Sequence, residues 1–135
     1  MKELYALQGT HDCGKTETLN NVIHLLEKKY PNASKNIMLD GKDKKVIFEN
    51  VNGLKVGIET QGDPDSRLEK SLIDFQNMNC DIIICSCRTR GMTVDWVNNF
   101  SDKYKIVFIN QTIDNEKFFN SNMEKAISIV KLTGL

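Results

Sequence analysis

The stretch LQGTHDCGKTETL, residues 7–19, decides the reading of this chain. Gly9 is followed by four unconstrained residues and then by Gly14, Lys15 and Thr16, the pattern G-x-x-x-x-G-K-T. A random chain of this length shows that pattern on the order of once in two hundred. Context sharpens it, because the loop must leave a strand and open a helix. ELYALQ (3–8) precedes it as a short apolar run. After it, Leu19, Val22, Ile23, Leu26 and Tyr30 recur at helical spacing until Pro31-Asn32 ends the pattern.

Each residue type in the loop has a physical use. Gly9 and Gly14 permit backbone geometry that turns successive N–H groups inward around an anion. The helix that starts at Gly14 adds the positive end of its dipole. Lys15 is placed to bridge the outer phosphates of a nucleotide, and the Thr16 hydroxyl to ligate Mg²⁺. The expected nucleotide-binding set is Gly9, Thr10, His11, Asp12, Cys13, Gly14, Lys15, Thr16 and Glu17, joined by Gly62 further on.

Strand and helix patterns alternate along the rest of the chain. Ile37–Leu39 is a short apolar run followed by the polar DGKDKK. Val46–Val51 and Leu54–Thr60 are strand-like segments joined by Asn52-Gly53, a strong hairpin signal. GDPDSRLEKSL then opens a helix, with Asp63 as its cap and Pro64 at the first helical position. Asp81–Cys87 reads as a strand buried on both faces. A short helix spans about 93–100, KIVFIN (105–110) is the last strand, and 115–132 the last helix, with Phe119, Met123, Ala126, Ile127 and Val130 inward.

This order predicts one three-layer α/β domain over residues 1–135, with five or six mostly parallel strands and one antiparallel hairpin strand. Ligands of such sheets sit at the carboxyl ends of the strands, where the glycine loop falls.

The totals exclude several classes. Eighteen Lys and Arg balance eighteen Asp and Glu, so no global charge favours nucleic acid or anionic membrane. No secretory signal or spanning apolar run appears, and the four cysteines show no paired-ligand spacing, which fits small hydrophobes in a reducing, cytoplasmic setting. The two histidines, His11 and His24, stand 13 residues apart with no paired ligands, which gives a histidine metal site little support.

The motif and its setting resemble the P-loop NTPase superfamily over the whole length of the chain, with the glycine loop as its Walker A element. The resemblance implies a bound nucleoside triphosphate with Mg²⁺, and an acidic residue ending a nearby strand to hold the metal with Thr16. Glu59, which closes Val56-Gly57-Ile58, is the residue in that position. Glu59-Thr60-Gln61-Gly62 resembles the D-x-x-G element of the GTPase branch, in which the glycine N–H contacts the terminal phosphate. Asp63 stands where many of those proteins have a water-orienting glutamine. Asn110-Gln111-Thr112-Ile113-Asp114 lacks the lysine of a guanine-reading N-K-x-D, so ATP is expected rather than GTP.

The expected catalytic residues are Lys15 and Glu59, together with Arg88 and Arg90 of CRTRGMT. Those arginines follow the buried strand, where a guanidinium fork can meet phosphate oxygens. The expected activity is slow hydrolysis, possible as a switch completed by a protein partner or a second copy. A small-molecule kinase with Asp40 as proton acceptor, and a module that holds nucleotide without turnover, are the alternatives.

Overall fold

A computed structural model describes residues 2–9, 14–39, 41, 43–64, 66–111 and 118–135. Strand β1 (Glu3–Gln8) leads to helix α1 (Lys15–Lys29), followed by strands β2 (Ser34–Leu39), β3 (Lys45–Val51) and β4 (Leu54–Glu59). Helix α2 (Leu68–Asn77), strand β5 (Ile82–Cys87), helix α3 (Met92–Asn98), strand β6 (Lys105–Asn110) and helix α4 (Phe118–Thr133) complete the order.

The six strands form one mixed sheet in the order β2-β3-β4-β5-β1-β6. Strand β1 lies between β5 and β6 and is parallel to both, and β4 is parallel to β5. Only β3 runs against its neighbours, β2 and β4. The Asn52-Gly53 turn supplies the tight reversal, with both residues at positive φ.

Two cores form, one on each face, because side chains alternate along the strands. Leu19, Val22, Ile23 and Leu26 of α1 pack with Ala126, Ile129 and Val130 of α4 over Tyr5, Leu7, Val56, Ile58 and Ile84. On the other face Leu68, Leu72 and Phe75 of α2 and Val97 of α3 cover Leu4, Ala6, Ile47, Ile83 and Cys85, with Val94 and Trp96 packed alongside. Gly57 is required here, since a Cβ would stand 2.7 Å from the Phe75 ring. Cys80, Cys85 and Cys87 are buried free thiols, and burial pushes Cys80 and Cys87 up to about 11.

Several elements differ from the sequence expectation. Helix α2 begins at Leu68, not at Pro64. The Ser66 N–H donates to the Asp63 carbonyl (3.0 Å), and the Asp63 side chain is turned to Arg88. Strand β2 is three residues longer than its apolar run and exposed along its whole length, as the sheet's outer edge. Ile127 is 40 % exposed rather than inward, and Ile129 takes the buried place. His24 of α1 is exposed, 4.0 Å from Glu27. Among the described residues, no helix is long and apolar enough to cross a membrane.

Candidate functional site

The carboxyl ends of β1, β4 and β5 bring three loops together. Gly9 leaves β1 with its N–H donated to the Cys87 carbonyl of β5 (3.2 Å). Gly14, at φ 93° and ψ 15°, sits in the left-handed region that a Cβ disfavours, and α1 starts at the next residue. Gly14, the N-cap residue, has no side chain with which to cap that helix start.

Lys15 is only 8 % exposed and its ammonium donates to the Gly9 carbonyl, arching back across the loop. Burying a lysine in that pose costs solvation unless oxygen acceptors surround it. Its charge also acts on the Cys87 thiol, pulling against the larger effect of burial. Thr10, His11, Asp12 and Cys13 lie outside the described residues, as does Asp40. Glu17 is exposed in the first turn of α1.

Thr16 meets a carboxylate, and it is Asp43. The Thr16 hydroxyl donates to Asp43 Oδ1 at 3.2 Å, and the Thr60 hydroxyl donates to the same oxygen at 3.2 Å. Thr60 is fixed in turn: its Oγ1 accepts from the Lys44 N–H (2.8 Å) and its own N–H donates to the Lys44 carbonyl (3.0 Å). The β2–β3 loop is thereby tied to the end of β4, directly over the first turn of α1.

Glu59 is brought elsewhere. It is fully buried and faces α2, the opposite side of the sheet from α1. Its Oε1 accepts from Arg67 Nε at 2.7 Å and from Ser71 Oγ at 2.6 Å, and its Oε2 from Arg67 Nη2 and the Gln61 N–H, each at 3.2 Å. Strand β5 also stands between β4 and β1, an offset of roughly 10 Å at ~4.8 Å per strand. The structure thus groups Thr16 with Asp43 and Thr60, and Glu59 with Arg67 and Ser71.

No family model, no curated protein and no solved structure matches this chain. The chemistry of the site therefore rests on its own residues.

Gly62 is pressed against the end of β5, where a Cβ would lie 2.3 Å from both the Ser86 carbonyl oxygen and Ser86 Oγ. The Ser86 hydroxyl donates to the Thr60 carbonyl (2.9 Å), closing the same contact. Arg88 follows β5 and turns its fork to Asp63 Oδ1, with Nε and Nη2 each at 3.0 Å, while its N–H donates to Thr93 Oγ1 (2.9 Å). Arg90 is exposed in the same loop. Arg88 thus links the 60–63 and 87–93 loops.

At the far side of β1, Gln111 follows β6 with its N–H on the Gln8 carbonyl (2.8 Å) and its Nε2 on Asn122 Oδ1 (2.9 Å). Thr18 of α1 donates to the same Asn122 oxygen at 3.3 Å. This buried amide cluster locks α1, α4 and β6 beside the glycine loop.

Asp43 and Thr60 escaped the sequence reading. DGKDKK reads as a solvated turn, and nothing local in it selects Asp43 over Asp40. Thr60 did carry a signal: in Val56-Gly57-Ile58-Glu59-Thr60, the residues sharing a face with Val56 and Ile58 include Thr60 and exclude Glu59.

Proposed function

We propose that this chain is a P-loop domain that binds a nucleoside triphosphate with Mg²⁺ and hydrolyses it slowly, with ATP preferred. The observation that carries this reading is the pose of Lys15 and Thr16 at the start of α1. A buried ammonium holds a loop carbonyl, and the adjacent hydroxyl holds a carboxylate.

In this reading the ammonium of Lys15 exchanges the Gly9 carbonyl for oxygens of the outer phosphates, at little further desolvation cost because it is already buried. The positive end of the α1 dipole faces the remaining charge. The oxygens of Thr16, Asp43 and Thr60 are hard donors of the kind Mg²⁺ accepts, and one carboxylate suits an ion that keeps most of its waters. When bound, Mg²⁺ screens the negative charge of the phosphates. Asp43 takes the carboxylate role that the sequence assigned to Glu59. Among the described residues no group of three His, Cys, Asp or Glu stands together, so a self-sufficient metal centre gains no support.

Slow turnover follows from what the other acids are doing. Glu59 accepts four hydrogen bonds and Asp63 accepts the Arg88 fork, so these two carboxylates are engaged rather than poised over a water. The same observation favours a second reading, a domain that holds nucleotide without turnover. Hydrolysis is accelerated in the first reading when a partner or second copy draws Arg88 from Asp63 toward the phosphates.

The test is phosphate release from ATP and GTP with Mg²⁺, run beside calorimetric binding, with Lys15→Ala as control. Tight binding with measurable release, both lost in the variant, supports the hydrolase. Binding without release supports the holding module. Absence of binding to either nucleotide by the parent refutes both.

A further inference from the structure

We propose that the cleft between the C-terminal turns of α1 and α4 binds a small single-headed amphiphilic anion, such as a medium-chain carboxylate. The cleft lies at the end of the sheet opposite the glycine loop, since α1 runs back from the carboxyl end of β1 and α4 from that of β6. It is an open cleft of about 280 Å³. Leu25, Ile127 and Val130 line it with apolar side chains, and the exposed Lys28, Lys29 and Lys131 stand around them.

Apolar lining and surrounding cations ask for opposite properties in one molecule. Ile127 remains 40 % exposed there, in a position where helical spacing alone would turn it inward. Lysines in a last turn complement the negative pole of a helix, which accounts for cations at each end. It does not account for apolar side chains left open between them. Among the described residues Lys28 and Lys131 have no ion-pair partner, whereas Lys29 donates to the Leu135 carbonyl. The nearest acid on the same turn, Glu27, is held by Lys35 at 2.9 Å. The surrounding positive charge is therefore left for an outside anion.

Size and symmetry narrow the occupant. One helical turn with its side chains, ~10 Å across and ~5.4 Å high, fills roughly 400 Å³ and does not enter the cleft. A second copy docked about a two-fold axis would set each cluster of three lysines against its own image. A cleft near the lower bound of small-molecule sites, about 300 Å³, suits a single short chain with its head group among the lysines.

The experiment is a titration of the full chain with octanoate, octyl phosphate and octanol, followed by ¹H–¹⁵N NMR. Octanoate is expected to give saturable shifts centred on Leu25, Ile127 and Val130. The charge-removing pair Lys28→Gln with Lys131→Gln is expected to weaken octanoate by about tenfold, as two solvent-exposed charge contacts allow, and to leave octanol unchanged. Ile127→Asp is expected to remove both ligands. A tighter octyl phosphate identifies the head group as a phosphate within the same proposal. Shifts that do not saturate, octanol binding as tightly as octanoate, or a lysine pair without effect would each overturn the proposal. So would an acidic amphipathic peptide that binds the cleft more tightly than either anion. Spectra of the free variants that superimpose on the parent away from the cleft establish that each is folded.

Discussion

Removing the Glu59 carboxylate tests whether it is a structural keystone or a metal ligand. In Glu59→Ala, Ser71 Oγ and the Gln61 N–H lose their acceptor, and Arg67 loses both arms of its fork. Breaking one side of a buried ion pair costs about 3–5 kcal/mol. Arg67 is 27 % exposed and can turn partly to water, which favours the lower end, but the Ser71 hydroxyl is fully buried and adds to the loss. The net is ~3–4 kcal/mol, a large share of the stability of a domain this size. At roughly 3–4 °C per kcal/mol for such a chain, the midpoint falls by about 10–15 °C. Glu59→Gln keeps an acceptor for Ser71 and Arg67 Nε but sets an amide N–H₂ against two donors, for ~1–2 kcal/mol. The assay is thermal unfolding by circular dichroism in EDTA without nucleotide, repeated with Mg²⁺ and ATP. Asp43→Asn is the counterpart, expected to change the EDTA midpoint little and to lower the added stabilisation by Mg-nucleotide. A Glu59→Ala protein that melts with the parent in EDTA but has lost its response to Mg-nucleotide refutes this reasoning.

Two further outcomes follow from contacts already described. Gly62→Ala must displace the Ser86 backbone from a 2.3 Å approach, so ~2–3 kcal/mol of destabilisation is expected in urea unfolding; a loss under 0.5 kcal/mol would show that the 60–63 loop does not rest on β5. Burial pushes both Tyr5 and Tyr104 from 10.0 up to about 12, with the nearby Glu3 adding to the effect at Tyr5. The folded state then holds protons that the unfolded chain gives up, so this stabilisation is intact below pH 10 and lost as pH rises through about 12. Denaturant midpoints from pH 9 to 12 check it, and Tyr104→Phe should flatten the decline.

Much of the architecture was legible because its signals are local and periodic. The bounds of β1 and the Asn-Gly hairpin could be read from apolar alternation and turn chemistry. The inward stripe of α1 followed in the same way, since Leu19, Val22, Ile23 and Leu26 recur at three- and four-residue spacing and all enter one core. The start of α2 was not legible. Asp63-Pro64 satisfies every local rule for a helix start, but Arg67 must reach back to Glu59 and Asp63 outward to Arg88. Those long-range pairs fix Asp63 and Arg67 ahead of the helix, which starts at Leu68. The exposure of Ile127 is equally invisible to periodicity, which counts apolar residues on a face without knowing how far the neighbouring helix extends.

The site shows where motif reasoning parts from geometry. An acidic residue closing a strand three positions before a glycine is a one-dimensional pattern, and it carries no statement about which face of the sheet the acid occupies. Gly57 settles that here. Its missing side chain admits Phe75 of α2, so every second residue from it, including Glu59, belongs to the α2 layer, whereas Ile58 and Thr60 belong to the α1 layer. Only a side chain on the α1 side meets Thr16 at the helix start. Thr60 is on that side but carries no charge, and the carboxylate it lacks arrives on Asp43, from a loop seventeen residues earlier in the chain. A sheet that places β5 between the glycine-loop strand and β4 requires such a reach, because β4 by itself is two strands too far away. The same topology sets Ser86 and Arg88 of β5 and its loop closer to the glycine loop than Glu59 is. The 60–63 loop therefore meets its surroundings in two ways, through Thr60 on Asp43 beside Thr16 and through its contacts with Ser86 and Arg88.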